Sequence, residues 1–243
     1  MGVRLIVERP VYTIETNIKA TELILELAAR KHRPLLLAST SEVYGKLDKP
    51  KFSEEDDVIL GPTSKARWCY AASKMIDEFL ARAYFKEKGL PTVVARLFNT
   101  IGPRQTGQYG MVVPRFARQA LRGEPITIYG DGSQTRCFTY VDDAVAAIRA
   151  LATHPAAPGE VFNVGQGRET SIEALAHLVR DLAGSASPVV KVPYAEAFGA
   201  GFEDMQRRVP DVSKLQRFTG FVPATPLEEA LGRILAYLRE YDA

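Results

Sequence analysis

Apolar residues in the segment from Thr16 to about Lys31 fall at Ile18, Leu23, Ile24, Leu27 and Ala28, and from Leu23 on this is the spacing of one helical face. A helix is therefore predicted there. Pro34-Leu-Leu-Leu-Ala-Ser-Thr40 is a continuous apolar run of strand length that ends in hydroxyls. Asp48 to Lys65, rich in Pro, Gly, Lys and Asp, reads as loop. Ala66 to Lys88 returns to a helical pattern, stopped by Gly89 and Pro91. Pro91 to Asn99 reads as a second strand. Helix, strand, helix, strand in that order predicts a parallel sheet with covering helices.

Beyond Asn99 the pattern is less regular. Val113–Leu121 reads as a helix, Pro125–Gly132 as a strand and turn, and Cys137–Val141 as a lead into a helix through Asp143 to Ala152. Gly159–Val164 and Val189–Tyr194 have strand character. Thr170-Ser-Ile-Glu173 has the form of a capping box that opens a helix, and Pro226–Leu238 is an amphipathic helix. At the amino terminus Val3–Val7 is at most a strand remnant. The expected fold class is α/β. Residues 1–105 would form a Rossmann-like, doubly wound parallel sheet, incomplete at its amino terminus. Residues 106–243 would form mainly a smaller α/β lobe, interleaved with the last strands of the sheet.

Composition narrows the function classes. An apolar fraction of 46% and a charged fraction of 25% are those of an ordinary globular chain, long enough at 243 residues to bury a sizeable core. Net charge is +2 with the basic residues scattered, so neither nucleic acid nor a membrane surface is expected as partner. No apolar run approaches the roughly 18 residues of a membrane helix. Cys69 and Cys137 lack a metal-type pair spacing, so no metal is expected, and a reduced, cytoplasmic setting is the natural reading.

The chemistry is concentrated in two short stretches. In Tyr70-Ala-Ala-Ser-Lys74 the tyrosine and lysine lie on one face of the predicted helix. A free phenol titrates near 10 and is a poor base at neutral pH, but a neighbouring ammonium favours the phenolate and makes a usable general base. Ser39-Thr-Ser-Glu-Val-Tyr-Gly45 follows a predicted buried strand, where α/β sheets place ligand-facing groups. There the Thr40 hydroxyl suits a substrate oxygen and Glu42 is an acid or base. A dinucleotide loop needs three glycines between a strand and a helix. Gly130-Asp-Gly132 is not followed by a helix start, and Gly165-Gln-Gly167 lacks the third glycine and reads as a tight strand-to-helix turn.

Taken together these stretches resemble the extended short-chain dehydrogenase/reductase family, in particular its NAD-dependent nucleotide-sugar epimerases, decarboxylases and dehydratases. Arg96–Gln105 looks like the family's strand and substrate loop, Pro125–Asp143 like its nucleotide-binding segment, and Arg207-Arg-Val-Pro-Asp211 like the late motif that supplies a diphosphate arginine. The resemblance implies NAD as cofactor and a nucleotide sugar, read as a UDP-sugar, as substrate. It implies that Tyr70 is the base at a sugar hydroxyl, with Lys74 as its partner and a contact to the nicotinamide ribose. Thr40 would bond the same sugar oxygen, Asn99 would meet the diphosphate or sugar, and Arg136 and Arg208 would clamp the diphosphate. Asn17 and Ser39 would lie beside the cofactor. A homodimer is expected, built partly from the Tyr70 helix, with Ile76, Phe79 and Leu80 fitting such a surface or a core face. Family members carry roughly 75 residues before the point that matches Met1, the glycine loop among them, so an amino-terminally truncated chain is expected.

The resemblance implies a 4-keto sugar with three fates. The first expectation is 4-epimerisation, the default of the family. UDP-glucuronate decarboxylation stands nearly level with it, because Thr40-Ser-Glu42 and Arg207–Asp211 look like decarboxylase motifs. A 4,6-dehydratase is the third; those acting on dTDP-glucose carry an aspartate where this chain has Ser41. A reading of another class is an inactive sugar-nucleotide-binding fragment, which predicts UDP binding without NAD binding. A last reading is complementation by a separate amino-terminal polypeptide.

Overall fold

Helix and strand alternate through the first hundred residues as the pattern predicts, with one exception at the start. The structure is a computed structural model, and it describes residues 2–107, 111–198 and 204–241. Val3–Glu8 is a short helix, α1, and not a strand remnant. Its Arg4–Glu8 pair, 2.7 Å apart one turn on, and its fully buried Ile6 are those of a helix lying on the protein. Pro10 then opens α2, Pro10–Arg30, at a position where its missing N–H costs nothing. That makes α2 longer at its amino end than the apolar spacing suggested.

Strand β1 is Leu35–Thr40, and a 3₁₀ turn, Ser41–Tyr44, follows it directly. Another 3₁₀ turn, Ala66–Trp68, leads into α3, Cys69–Lys88. Gly89 ends α3 with φ at 65°, the left-handed conformation that glycine adopts without strain. Strand β2 is Thr92–Leu97, with β3, Thr100–Ile101, just beyond. Next come α4, Val112–Leu121, and three strands: β4, Ile126–Tyr129, β5, Thr135–Cys137, and β6, Thr139–Tyr140. Helix α5, Val141–Thr153, precedes β7, Val161–Val164, and β8, Glu169–Ser171, which runs into α6, Ile172–Ala183. The chain continues through β9, Val189–Val192, and the helices α7, Tyr194–Phe198, α8, Ser213–Thr219, and α9, Leu227–Tyr241.

The central sheet has the order β1-β2-β7, all parallel. Side chains alternate across it. Val93 and Ala95 join Phe162 and Val164 in a core with Ala144, Ala147 and Leu151 of α5 and Leu215 of α8. Val94 and Val161 face the other way, onto Leu25 of α2, Ala81 of α3 and Leu90. Helices thus cover both faces, the doubly wound arrangement. A separate core gathers α4, α6 and α9 on Ile126 and Ile128 of β4, which pairs in parallel with β9.

Two expectations change in this second region. Gly165-Gln-Gly167 leads first into β8, which pairs antiparallel with β5, before the helix begins. Thr170 is paired there with Arg136, so the cap of α6 falls one residue later. The Ser171 hydroxyl accepts from the Ala174 N–H at 3.0 Å, and Glu173 reaches Lys191 at 2.9 Å instead of closing a capping box.

Near the carboxyl end of the sheet, Ser39, Arg96 and Asn163 lie in one register row. Arg96 is buried against Glu78 of α3 at 2.8 Å, and the Ser39 hydroxyl donates to the same carboxylate. Tyr44 donates to Asn163 Oδ1 at 2.8 Å. The Asn163 amide donates in turn to the carbonyls of Phe52, at 2.8 Å, and Asp211, at 3.2 Å. This row ties the turn that carries Glu42 to the segment that carries Arg208.

Candidate active site

A cleft of about 340 Å³ opens at the carboxyl ends of the strands and runs toward α4, β4 and Arg136. Ser39, Thr40, Glu42, Tyr70, Asn99, Arg136 and Arg208 all border it, so seven of the nine residues singled out in the sequence converge there. Strand β1 delivers Thr40 to its rim, and the tight turn brings Glu42 back beside it: the Thr40 hydroxyl accepts from the Glu42 N–H at 3.2 Å. Gly45 makes that turn possible, since its φ is 60° and a Cβ there would meet the Ile59 carbonyl oxygen at 2.2 Å.

Asn17 and Lys74 do not border the cleft. Asn17 of α2 donates to the Ser73 hydroxyl at 2.9 Å, and Ser73 donates to the Tyr70 carbonyl at 2.9 Å. Asn17 thus reaches the Tyr70 turn of α3 only through the Ser73 hydroxyl. Lys74 donates to Asp77, one turn further along α3 and fully buried, at 2.9 Å.

The Tyr70 hydroxyl is held as a phenol. Burial and the Glu42 charge push it up to about 12, against the hydrogen bond to Thr40 and the charges of Arg208 and Arg67. The downward shift expected from the Tyr–x–x–x–Lys spacing is reversed, because the Glu42 carboxylate and the loss of solvent outweigh the nearby cations.

Glu42 is the opposite case. Burial by itself would raise it, but the guanidinium groups of Arg67 and Arg208 and the Arg67 hydrogen bond hold it at about 2. Arg67 Nη1 lies 2.5 Å from Glu42 Oε2, and Arg208 Nη1 lies 3.3 Å from Oε1. Glu42 is therefore a carboxylate at neutral pH. It can accept a proton and has none to give. Arg208 bonds Asn99 Oδ1 at 3.2 Å, and burial and repulsion from Arg136 pull it down to about 10. Arg136 donates to Asp204 at 2.8 Å and to the carbonyl of Thr135 at 2.8 Å.

Sequence reasoning missed Arg67 and Asp204. Arg67 stands three residues before Tyr70, in the 3₁₀ turn Ala66–Trp68 that the sequence pattern read as the start of the helix, and nothing in that pattern marks its charge. Asp204 joins Arg67, at 3.5 Å, and Arg136. Their roles follow from long-range pairing, which a single sequence does not display.

The residues present fit one end of a dinucleotide. Tyr70 and Ser39 border the cleft, Lys74 follows Tyr70 by one turn of α3, and the Asp77 Oδ1 atom beside Lys74 is buried without a hydrogen-bond partner. They suit the ribose and nicotinamide of NAD. Among the described residues no glycine turn links a strand of the central sheet directly to a helix, so no cradle for the diphosphate of NAD is seen there. Among the same residues no group of His, Cys, Asp and Glu is arranged to hold a metal ion, and no helix is long and apolar enough to cross a membrane.

Residues 1–165 match the model of the NAD dependent epimerase/dehydratase family. The chain is 43% identical over its full length to a UDP-N-acetyl-alpha-D-glucosaminuronate decarboxylase from Bacillus cytotoxicus, covering 75% of that protein. It is 40% identical over 95% of its length to UDP-glucuronic acid decarboxylase 1 from Xenopus tropicalis, covering 53% of it. Among solved structures it resembles the UDP-glucose 4-epimerase of Thermotoga maritima with UDP-glucose, with a TM-score of 0.87 and 31% identity over the whole chain and 75% of that structure. It also resembles the UDP-glucuronic acid 4-epimerase of Bacillus cereus in complex with UDP-glucuronic acid and NAD. There the TM-score is 0.81 and the identity 28%, over 92% of this chain and 67% of that one.

Proposed function

The chain belongs to the NAD-dependent epimerase/dehydratase family, whose members are enzymes acting on nucleotide sugars, and from that premise we propose that its own reaction is decarboxylation of a UDP-hexuronate. The observation that carries this reading is the buried Glu42–Arg208 pair on the wall of the cleft beside Tyr70 and Thr40. The relatives at 39–43% identity named as decarboxylases support it. The 4-epimerases among the solved structures stand at 31% and below. Decarboxylation therefore takes precedence here over the 4-epimerisation expected first from the sequence.

NAD, when bound, supplies the redox equivalent at C4 of the sugar. The chain's part is binding and proton movement. Thr40 and Tyr70 hold the 4-hydroxyl. Tyr70 is a phenol in the ligand-free cleft, and its phenolate would be favoured by the positive charge of a bound nicotinamide, so that Tyr70 Oη can take the sugar's proton. A 4-ketone leaves the C6 carboxylate β to a carbonyl. The C5–C6 bond then breaks, its electron pair passes into the ketone as an enolate, and carbon dioxide departs. A proton is added at C5. Ionised Glu42 has none to give and Arg208 stays cationic, stabilising the developing negative charge, so the proton comes from water. The hydride removed in the first step then returns to C4 and Tyr70 gives its proton back to the C4 oxygen, which completes the UDP-pentose. Asn99 and Arg136 bind the diphosphate end, a task suited to the guanidinium fork. Arg208, expected there from the sequence, is read here at the sugar because it pairs with Glu42.

The reading extends to a homodimer in the cytoplasm. Ile76 and Phe79 are exposed on α3, while Leu80 packs inward, and both cysteines are free. A substrate panel with NAD in excess tests the reaction. UDP-glucuronate or its 2-acetamido analogue is expected to yield a UDP-pentose and carbon dioxide, with UDP-glucose and UDP-galactose unchanged. Interconversion of the two neutral hexoses, or of two uronates without loss of carbon, would restore the epimerase reading.

A further inference from the structure

Arg67 borders no part of the cleft, yet its side chain is only 3% exposed. It lies over the Trp68 ring at 5.7 Å and makes one short contact, Nη1 to Glu42 Oε2 at 2.5 Å. Its Nε and Nη2 atoms are buried without a hydrogen-bond acceptor, and Nη2 faces Asp204 Oδ1 at 3.5 Å. Burying a guanidinium in this way costs stability, and an apolar side chain of similar volume would pack on Trp68 as well. What only the cation supplies is its effect on Glu42. The two carboxylate oxygens are divided, Oε2 to Arg67 behind the cleft and Oε1 to Arg208 within it.

Among the described residues the charges of the group do not cancel. Arg67, Arg136 and Arg208 face Glu42 and Asp204, three cations to two carboxylates, joined pairwise by ion pairs. With Arg67 removed the group is neutral. With it, one excess positive charge sits in a largely desolvated wall of the cleft, where such a charge acts strongly.

We propose that Arg67 is a positioning and specificity-determining residue: it fixes Glu42 as a carboxylate with Oε1 turned to Arg208, and it supplies the excess charge that biases the cleft toward a sugar bearing a carboxylate. The second half rests on the uronate reading above; the first does not. No sequence pattern marks this role, since Arg67 lies in a single 3₁₀ turn and acts through another residue.

The test uses the ligand-free chain. The Glu42 carboxyl carbon is followed by 13C NMR from neutral to low pH, with E42Q identifying its signal, in wild type, R67K and R67M. Glu42 is expected to stay ionised to low pH in wild type and R67K. In R67M its midpoint is expected to rise by about one pH unit or more, tenfold in the acid constant. Calorimetry with UDP-glucuronate and UDP-glucose should give a preference for the uronate in wild type and R67K that falls about tenfold in R67M. If R67M does not fold, R67Q, which can still donate to Oε2 without the charge, is read in the same way. An unmoved Glu42 midpoint in the neutral variant overturns the positioning role. A midpoint that moves while the ligand preference does not overturns the specificity role. Wild type that binds both sugars equally overturns the uronate reading and leaves the titration to decide the rest.

Discussion

Tyr70 and Glu42 border the same cleft in states set by opposite forces, and their titrations are linked through the Glu42 charge. The phenol is lifted to about 12 by burial and by the Glu42 charge. A difference spectrum between wild type and Tyr70→Phe should therefore show a tyrosine that ionises well above the usual value near 10. In turnover, Tyr70→Phe is expected to cut the rate about 10²- to 10⁴-fold while UDP affinity stays unchanged; a loss of UDP affinity of similar size would make Tyr70 a binding group instead. Glu42 gives a stability prediction. Its folded value, about 2, lies below an unfolded value near 4.5, so the stabilisation is present above pH 4.5 and disappears as pH falls toward 2. The linked free energy is about 3 kcal/mol. Urea melts of wild type should lose about that much more stability over this range than melts of Glu42→Gln; parallel curves would show that Glu42 does not titrate so low. At this scale the sequence was informative where chemistry imposes a local spacing, as in Thr40-Ser-Glu42, whose Thr40 and Glu42 both border the cleft. It was silent on Arg67 and Asp204, and it suggested Tyr70 as Lys74's partner when Asp77, nearer along the helix and fully buried, takes the ammonium.

Among the elements, the row Ser39–Arg96–Asn163 does most to shape the site. Strand β7 contributes Asn163, whose side chain satisfies Tyr44, Phe52 and Asp211 together. Asn163→Ala would leave the Asp211 carbonyl and the Tyr44 hydroxyl short of partners, while the Phe52 carbonyl keeps the Asp211 N–H, at a cost of about 1–3 kcal/mol for each group left unsatisfied. A loss of about 3 kcal/mol in urea melts, together with weaker UDP binding, is expected, because the Glu42 turn and the Arg208 segment lose their common anchor. A change of stability with UDP affinity intact would show that the two segments are held independently. Strands β1 and β2 were legible as apolar runs because both their faces are covered by helices. Strand β8 was not, because Glu169-Thr-Ser171 has no apolar alternation and exists only through its pairing with β5. The helical α1 was misread for a related reason: five residues of mixed polarity fit either period, and its Arg4–Glu8 pair and buried Ile6 favour the helix.

For the molecule as a whole, the order of motifs along the chain carried more than any single motif did. Residues far apart in sequence meet because a parallel sheet gathers its strand ends at one edge, and a second core, built on α4, α6 and α9, closes the cleft from the other side. That much could be read from alternating elements. The choice among reactions could not, since on the proposed reading an epimerase and a decarboxylase would both use Tyr70 and Thr40, and the Glu42, Arg67 and Arg208 charges that would separate them are brought together only by folding. The central claim is that this cleft removes carbon dioxide from a UDP-hexuronate. The measurement that tests it most directly follows UDP-glucuronate labelled with 13C at C6, incubated with the chain and NAD in excess, by 13C NMR. The account predicts that the sugar carboxylate signal is replaced by labelled bicarbonate and carbon dioxide as a UDP-pentose forms. Label retained in a C4-epimeric uronate, or a carboxylate signal that never changes while the UDP-sugar is bound, would contradict it.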